Sequence, residues 1–208
     1  MLNAKRLRCF VGWLAILLPW LVALLLWKIP PSISATYYTF EAGPVFMIIL
    51  GLASGLLMYY DGYDKTDDIL NTITGILGLC ICLFPCEPEV LELSHVGTFR
   101  LPVVLSDWIH LISAILFFVA LAYISCFQFT KTSGNMTKQK KIRNIIYRIC
   151  AGGMLGAFLL LLLPNFYIKT WLIETIALFF FGISWLTKAD AYPWLAADPK
   201  IKEININD

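Results

Sequence analysis

Charged side chains are scarce in this sequence. Asp, Glu, Lys and Arg together make up 14% of the 208 residues, whereas a soluble domain carries roughly 25%. This deficit excludes a soluble fold of this size. The formal net charge of +2 is small, so the charge gives no reason to expect a nucleic-acid partner.

Residues that build common active sites and metal centres are also few. The sequence has two histidines, His95 and His110, and it lacks the HExxH, GxSxG and P-loop patterns. Of its six cysteines, Cys80, Cys82 and Cys86 are closely spaced. On a helix Cys82 and Cys86 could share a face, but Cys80 and Cys82 would not. No second Cys or His pair completes a zinc set. We therefore expect no metal or other cofactor.

Long apolar runs are abundant, and hydrophobic residues make up 59% of the chain. Runs of this length predict membrane-spanning helices. The six predicted spans are 10–27, 44–60, 69–85, 106–129, 145–163 and 171–187. We predict a single all-α membrane domain over residues 1–208, a six-transmembrane-helix bundle. The first run is interpreted as a retained span rather than a signal peptide.

The distribution of Lys and Arg predicts the orientation of these spans. Basic residues concentrate in the N-terminal segment 1–8, in the loop 131–143 and in the tail after residue 188. Such loops stay on the cytoplasmic side, so both termini are predicted to be cytoplasmic. We therefore predict a multi-pass protein of the cell membrane, with a bacterial inner membrane favoured. Its predicted partners are membrane lipids. The oligomeric state is not predicted.

Small residues recur at four-residue spacing in two of the runs. This spacing allows close approach of helices in membranes. We predict two close-packing faces from it: Gly51, Ser54 and Gly55 in the second span, and Gly152, Gly153 and Gly156 in the fifth.

Four ionisable residues are predicted to lie together in the outer half of the bundle. Asp107 and His110 begin the fourth run, three residues apart on one helix face. Glu174 lies a few residues inside the sixth run, and Glu41 precedes the second. Ionisable groups in spans usually face the protein interior and mark functional sites, so these four form the predicted ligand-binding set. The structural alternative makes Ser106 the N-cap of the fourth helix, Asp107 its first-turn acid and Glu174 a carboxylate at the positive end of the sixth.

A second polar cluster is predicted on the cytoplasmic side. Arg148 would pair with Asp61 or Asp64 and neutralise a charge at the bilayer edge. The alternative is binding of anionic lipid headgroups by the basic residues Lys138, Lys140, Lys141 and Arg143.

Three segments carry a family resemblance: the acidic turn DGYDKTDD at 61–68, the GxLGLCICLFP close of the third span from Gly75 to Pro85, and H-x-x-S-A-x-x-F-F from His110 to Phe118. With its six-span layout, the chain resembles the superfamily that contains the damage-regulated autophagy modulators, the FGF-receptor-activating proteins and related bacterial families of unknown function. The resemblance covers spans two to four. It implies the fold and a membrane location, and it assigns no catalytic residue.

These patterns favour a non-enzymatic membrane protein that binds or senses a lipid or small ligand in the outer half of the bundle. Two alternatives remain open. One is a small transporter, although no inverted repeat is visible. The other is an intramembrane lipid-modifying enzyme that uses His110 with Asp107 and Glu174.

Overall fold

The computed structural model describes residues 4–60, 62, 64–88, 93–132 and 136–195. Within them the chain is mostly helical, which confirms the predicted class. Each of six α-helices overlaps one of the predicted runs. The helices are α1 (Ala4–Leu25), α2 (Gly43–Met58), α3 (Lys65–Leu83), α4 (Val103–Tyr123), α5 (Lys138–Ala157) and α6 (Lys169–Lys188).

Helix length separates α2 from the others. Five helices are long and apolar enough to cross a membrane, whereas α2 has 16 residues. At 1.5 Å per residue α2 is about 24 Å long, shorter than the roughly 30 Å of a hydrocarbon core. Two of the helices that begin in polar sequence ahead of their predicted runs, α3 and α5, are capped by side chains. Asp64 accepts a hydrogen bond from the Asp67 N–H at the start of α3, and Thr137 accepts one from the Lys140 N–H at the start of α5.

Short elements occupy the connections. A two-residue antiparallel ribbon pairs β1 (His95–Val96) with β2 (Leu101–Pro102). The all-α prediction missed this ribbon, because two residues are too few to show an alternating pattern. The other short elements are 3₁₀ segments at Ser34–Tyr38, Phe158–Leu162 and Pro193–Leu195, and a π-helical turn at Ile124–Gln128 that continues α4.

The six helices form a closed ring in chain order. Each helix packs against the next one, and α6 returns to pack against α1. Contacts between α4 and α6, which both flank α5, are sparse. This arrangement leaves the middle of the ring to side chains from all six helices.

Glycines allow the closest helix approaches. A Cβ on Gly182 of α6 would lie 2.7 Å from the carbonyl oxygen of Gly12 on α1, and a Cβ on Gly75 of α3 would lie 2.5 Å from the Ser54 oxygen on α2. The predicted packing faces are correct for Ser54 and for Gly153, which lies against Phe180. They are wrong for the glycines that face open space, Gly51, Gly55, Gly152 and Gly156. Four-residue spacing places small residues on one face, but it does not show which way that face points.

One end of the ring is filled by aromatic rings. Trp185 of α6 is fully buried and has ring centroids 5.4–5.6 Å from those of Tyr60, Phe129 and Phe181, and Tyr147 packs on Phe129 at 5.5 Å. We call these five residues the aromatic cluster. Edge-on aromatic contacts of this kind stabilise a core beyond simple burial, so this end of the bundle is densely packed.

The outside of the ring is apolar. On α1, for example, Trp13, Leu17, Trp20 and Leu24 are 43–62% exposed. Water-soluble monomers rarely expose contiguous apolar surface on this scale. Surfaces of this kind are typical of helices that face lipid.

Candidate functional site

A cavity of about 290 Å³ lies inside the ring, at the end that contains Glu174 and His110. All six helices or their continuations line it, and most of the lining is apolar. Its polar side chains include Asp107, His110 and Glu174 of the predicted set, together with Ser32 and Ser34. The volume is close to the lower end of the range for small-molecule sites, about 300–1,000 Å³.

Glu174 is the most extensively hydrogen-bonded residue of the cavity wall. Its carboxylate accepts hydrogen bonds from the backbone N–H groups of Ile33 at 2.5 Å and Ser34 at 3.4 Å. The hydroxyls of Ser34 and Ser32 also donate to it, at 2.9 and 3.3 Å. A carboxylate with several donors is stabilised by charge-assisted hydrogen bonds. Glu174 therefore anchors the connection between α1 and α2 to α6. Its predicted role at the positive end of its own helix is wrong, because α6 begins at Lys169 and its first turn contains no acidic residue.

His110 is buried on α4 and faces the end of α3. Its Nδ1 lies 2.9 Å from the carbonyl oxygen of Phe84. Since a carbonyl can only accept, Nδ1 carries the hydrogen of this bond, and a neutral ring then presents Nε2 as an acceptor. The imidazole is thus oriented by the backbone rather than by a carboxylate.

The start of α4 differs from the structural alternative. The helix begins at Val103 with Pro102 as its N-cap, so the predicted capping role of Ser106 is wrong. The buried Ser106 hydroxyl instead donates to the Pro85 carbonyl at 2.8 Å. Asp107 is not in the first turn, and it accepts a hydrogen bond from the Glu87 N–H at 2.9 Å. These bonds attach the residues after α3 to α4 and place Asp107 on the cavity wall.

The predicted ligand-binding set is brought together in part. His110 and Glu174 line one cavity, but no hydrogen bond or ion pair joins them among the described residues. Each is bonded instead to the backbone of a connecting segment. Glu41 is exposed and does not belong to the cavity lining. The arrangement provides acceptors in an apolar chamber, without a His–carboxylate dyad in the described part of the chain.

The other end of the bundle carries a different polar cluster from the predicted one. Lys131 bridges two carboxylates, Asp64 at 2.9 Å and the buried Asp67 at 2.6 Å. The hydrogen bond from Lys131 lowers the pKa of Asp64, and the bond to Asp67 together with that to Asp64 raises the pKa of Lys131. Asp64 therefore pairs with Lys131 and not with Arg148, which is exposed. Asp61 lies outside the described residues.

The basic residues near α5 have internal partners. Lys140 is buried and donates to the carbonyls of Phe129 and Lys131, both at 2.9 Å. Arg143 pairs with Asp190 at 2.9 Å, and Lys5 pairs with the same carboxylate at 2.6 Å. These contacts favour structural pairing over headgroup binding for Lys140 and Arg143, while Lys138 and Lys141 are exposed.

Sequence reasoning missed Ser32, Ser34 and Lys131. The two serines follow paired prolines in a connection with no helical period, and Lys131 was grouped with the basic loop. The available signal for Lys131 was the predicted topology, which places it on the same side of the membrane as the acidic turn that contains Asp64 and Asp67. No group of three or more His, Cys, Asp or Glu side chains that could hold a metal is present in the described ranges.

No protein-family model, curated protein or solved structure matches the chain. The superfamily resemblance therefore stays a prediction. The helix inventory and the apolar outer surface are those of a helical membrane protein.

Proposed function

We propose that this chain is a multi-pass protein of the cell membrane that binds a lipid or another small, mainly apolar ligand in the cavity beside Glu174 and His110. The observation that carries the proposal is the contrast between the two ends of the ring. One end is filled by the aromatic cluster, and the other holds an apolar cavity with a few acceptors. Binding sites for small molecules have this composition.

The polar groups of the cavity support recognition rather than turnover. His110 and Glu174 are each held by backbone partners at 2.5–2.9 Å. Side chains fixed in this way form a preorganised set of acceptors, which reduces the entropy cost of binding a ligand.

Filling the cavity should remove the ligand. Ala114 lies on the cavity wall in α4, and Ala114→Trp places an indole in the chamber. We expect mass spectrometry of the purified wild-type protein to show an enriched lipid or small molecule, and Ala114→Trp to retain at least about tenfold less, a loss of 1.4 kcal/mol or more.

Ile112→Trp is the matched control for this experiment. Ile112 lies on the same helix, is 52% exposed and does not line the cavity. It should retain the ligand at the wild-type level. Equal retention by Ala114→Trp, or no enriched molecule in the wild-type protein, would contradict the proposal.

We further propose six spans with both termini in the cytoplasm, so that the cavity lies in the outer half of the membrane. Basic residues at the first turns of α1 and α5 support this orientation. A reporter fused after Asp208 should read as cytoplasmic, and one inserted at Thr98, between β1 and β2, as external. A cytoplasmic reading at Thr98 would exclude this topology.

A further inference from the structure

We propose that the cavity opens sideways into the lipid, between α4 and the segment Phe158–Leu162, and that it admits a single-chain amphiphile with a hydroxyl or amine head. This inference rests on the proposed function and specifies its ligand class and entry route.

The opening is defined by side chains that line the cavity and also reach the outer surface. Leu111 and Ile115 of α4 are 45% and 43% exposed, and Leu161 is 58% exposed. All three line the cavity. A side chain that belongs to both surfaces stands at an entrance, so these residues form the two edges of a lateral opening.

The end of α5 explains why the wall of this otherwise closed ring has an opening here. α5 ends at Ala157, and the chain continues as the 3₁₀ segment, which contains no buried residue. The Lys169 ammonium donates to the carbonyls of Leu161 and Leu163 at 3.1 and 2.7 Å. It thereby satisfies carbonyls that the end of a helical segment leaves without partners. The segment is therefore attached to α5, which it continues, and to α6 through Lys169. It does not pack closely on α4.

An aromatic contact limits the opening toward the aromatic cluster. Phe118 of α4 and Phe158 at the start of the 3₁₀ segment have ring centroids 5.9 Å apart. Leu111 and Ile115 follow Val103 by 8 and 12 residues, which corresponds to about 12 and 18 Å along α4. This depth falls within a hydrocarbon core about 30 Å thick. The entrance thus faces acyl chains.

The charges on the wall select the head group. The ionisable lining residues include Asp107 and Glu174, and no Lys or Arg appears among the described residues that line the cavity. An anionic head would be buried near carboxylates without a countercharge, which is costly. Hydroxyl and amine heads can donate to the wall's acceptors. The volume of about 290 Å³ suits one chain better than a two-chain lipid.

The test uses two photoreactive probes of equal chain length, a diazirine-bearing fatty alcohol and the corresponding fatty acid. The full-length protein is reconstituted in phosphatidylcholine vesicles, illuminated at about pH 9, where the acid probe is ionised at the bilayer surface, and mapped by mass spectrometry. The alcohol should label cavity residues at least about tenfold more than the acid. Equal labelling by both probes would overturn the head-group assignment. No labelling of the lining by either probe would overturn the proposed function itself.

Two variants at the entrance test the route. Ile115→Trp on α4 and Leu161→Trp on the opposite edge should each slow labelling by the alcohol about tenfold or more. Their matched controls are Ile112→Trp and Leu162→Trp, which are exposed neighbours that do not line the cavity. The controls should label at the wild-type rate. Wild-type rates in both entrance variants, with labelling of the cavity retained, would overturn the lateral route and leave the proposed function standing.

Discussion

Replacing Glu174 with Ala is expected to lower the midpoint of thermal unfolding in detergent by about 6–12 °C. The substitution leaves two backbone N–H groups and two serine hydroxyls of the α1–α2 connection without their acceptor. Buried donors left unpaired cost about 1–3 kcal/mol each before relaxation, and we expect a net loss of about 3 kcal/mol. Glu174→Gln retains one acceptor oxygen and should lose less.

The adjacent Thr175 provides the control. Its hydroxyl is buried without a hydrogen-bond partner in the described part of the chain. Thr175→Ala removes a polar group that gains nothing from burial, so the midpoint should stay within a few degrees of wild type. An unchanged midpoint in Glu174→Ala would show that the carboxylate does not anchor the connection.

The second large effect is expected at the crossing of α1 and α6. A Cβ on Gly182 would meet the Gly12 carbonyl oxygen at 2.7 Å and the Ile16 side chain at 2.5 Å. Because one of these atoms is backbone, the helices must separate. Gly182→Leu should destabilise the protein by about 3 kcal/mol or more, which size-exclusion chromatography after mild heating will register as loss of the monodisperse peak.

Gly152 of α5 is the matched position. A Cβ there meets no atom within 4 Å, so Gly152→Leu should be neutral or should stabilise the helix by up to about 0.8 kcal/mol. Similar losses in both variants would mean that the crossing at Gly182 is not limiting.

The six helices could be predicted from the sequence, because each of them contains a long apolar run. The sequence was less informative at their ends. Lys65 and Lys138 read as loop residues, yet they begin α3 and α5. The Asp64 and Thr137 side chains accept hydrogen bonds from backbone N–H groups of the first turns, and these caps stabilise the polar turns as helix. An apolar run shows which residues can lie in the lipid. It does not show where the helix ends, because the end depends on capping hydrogen bonds.

The candidate site was predictable only as a region. His110 and Glu174 were placed on inward faces by their ionisable character, and both line the cavity. Their partners could not be predicted, because Ile33 and Phe84 contribute backbone atoms from connections that fold back onto the bundle. Backbone donors and acceptors exist at every residue, so no residue type identifies the ones that are used.

The aromatic cluster has a consequence for any molecule that enters the cavity. Trp185 lies about two turns beyond the lining residue Leu178 on α6, and its ring is fully buried. If the proposed lateral opening is the entrance, a ligand would have to leave by the same opening, because the aromatic cluster fills the other end of the bundle. Net movement of such a ligand across the membrane would require displacement of Trp185, which packs against three other rings. The proposed binding function and the proposed lateral opening together therefore predict retention of the ligand rather than transport.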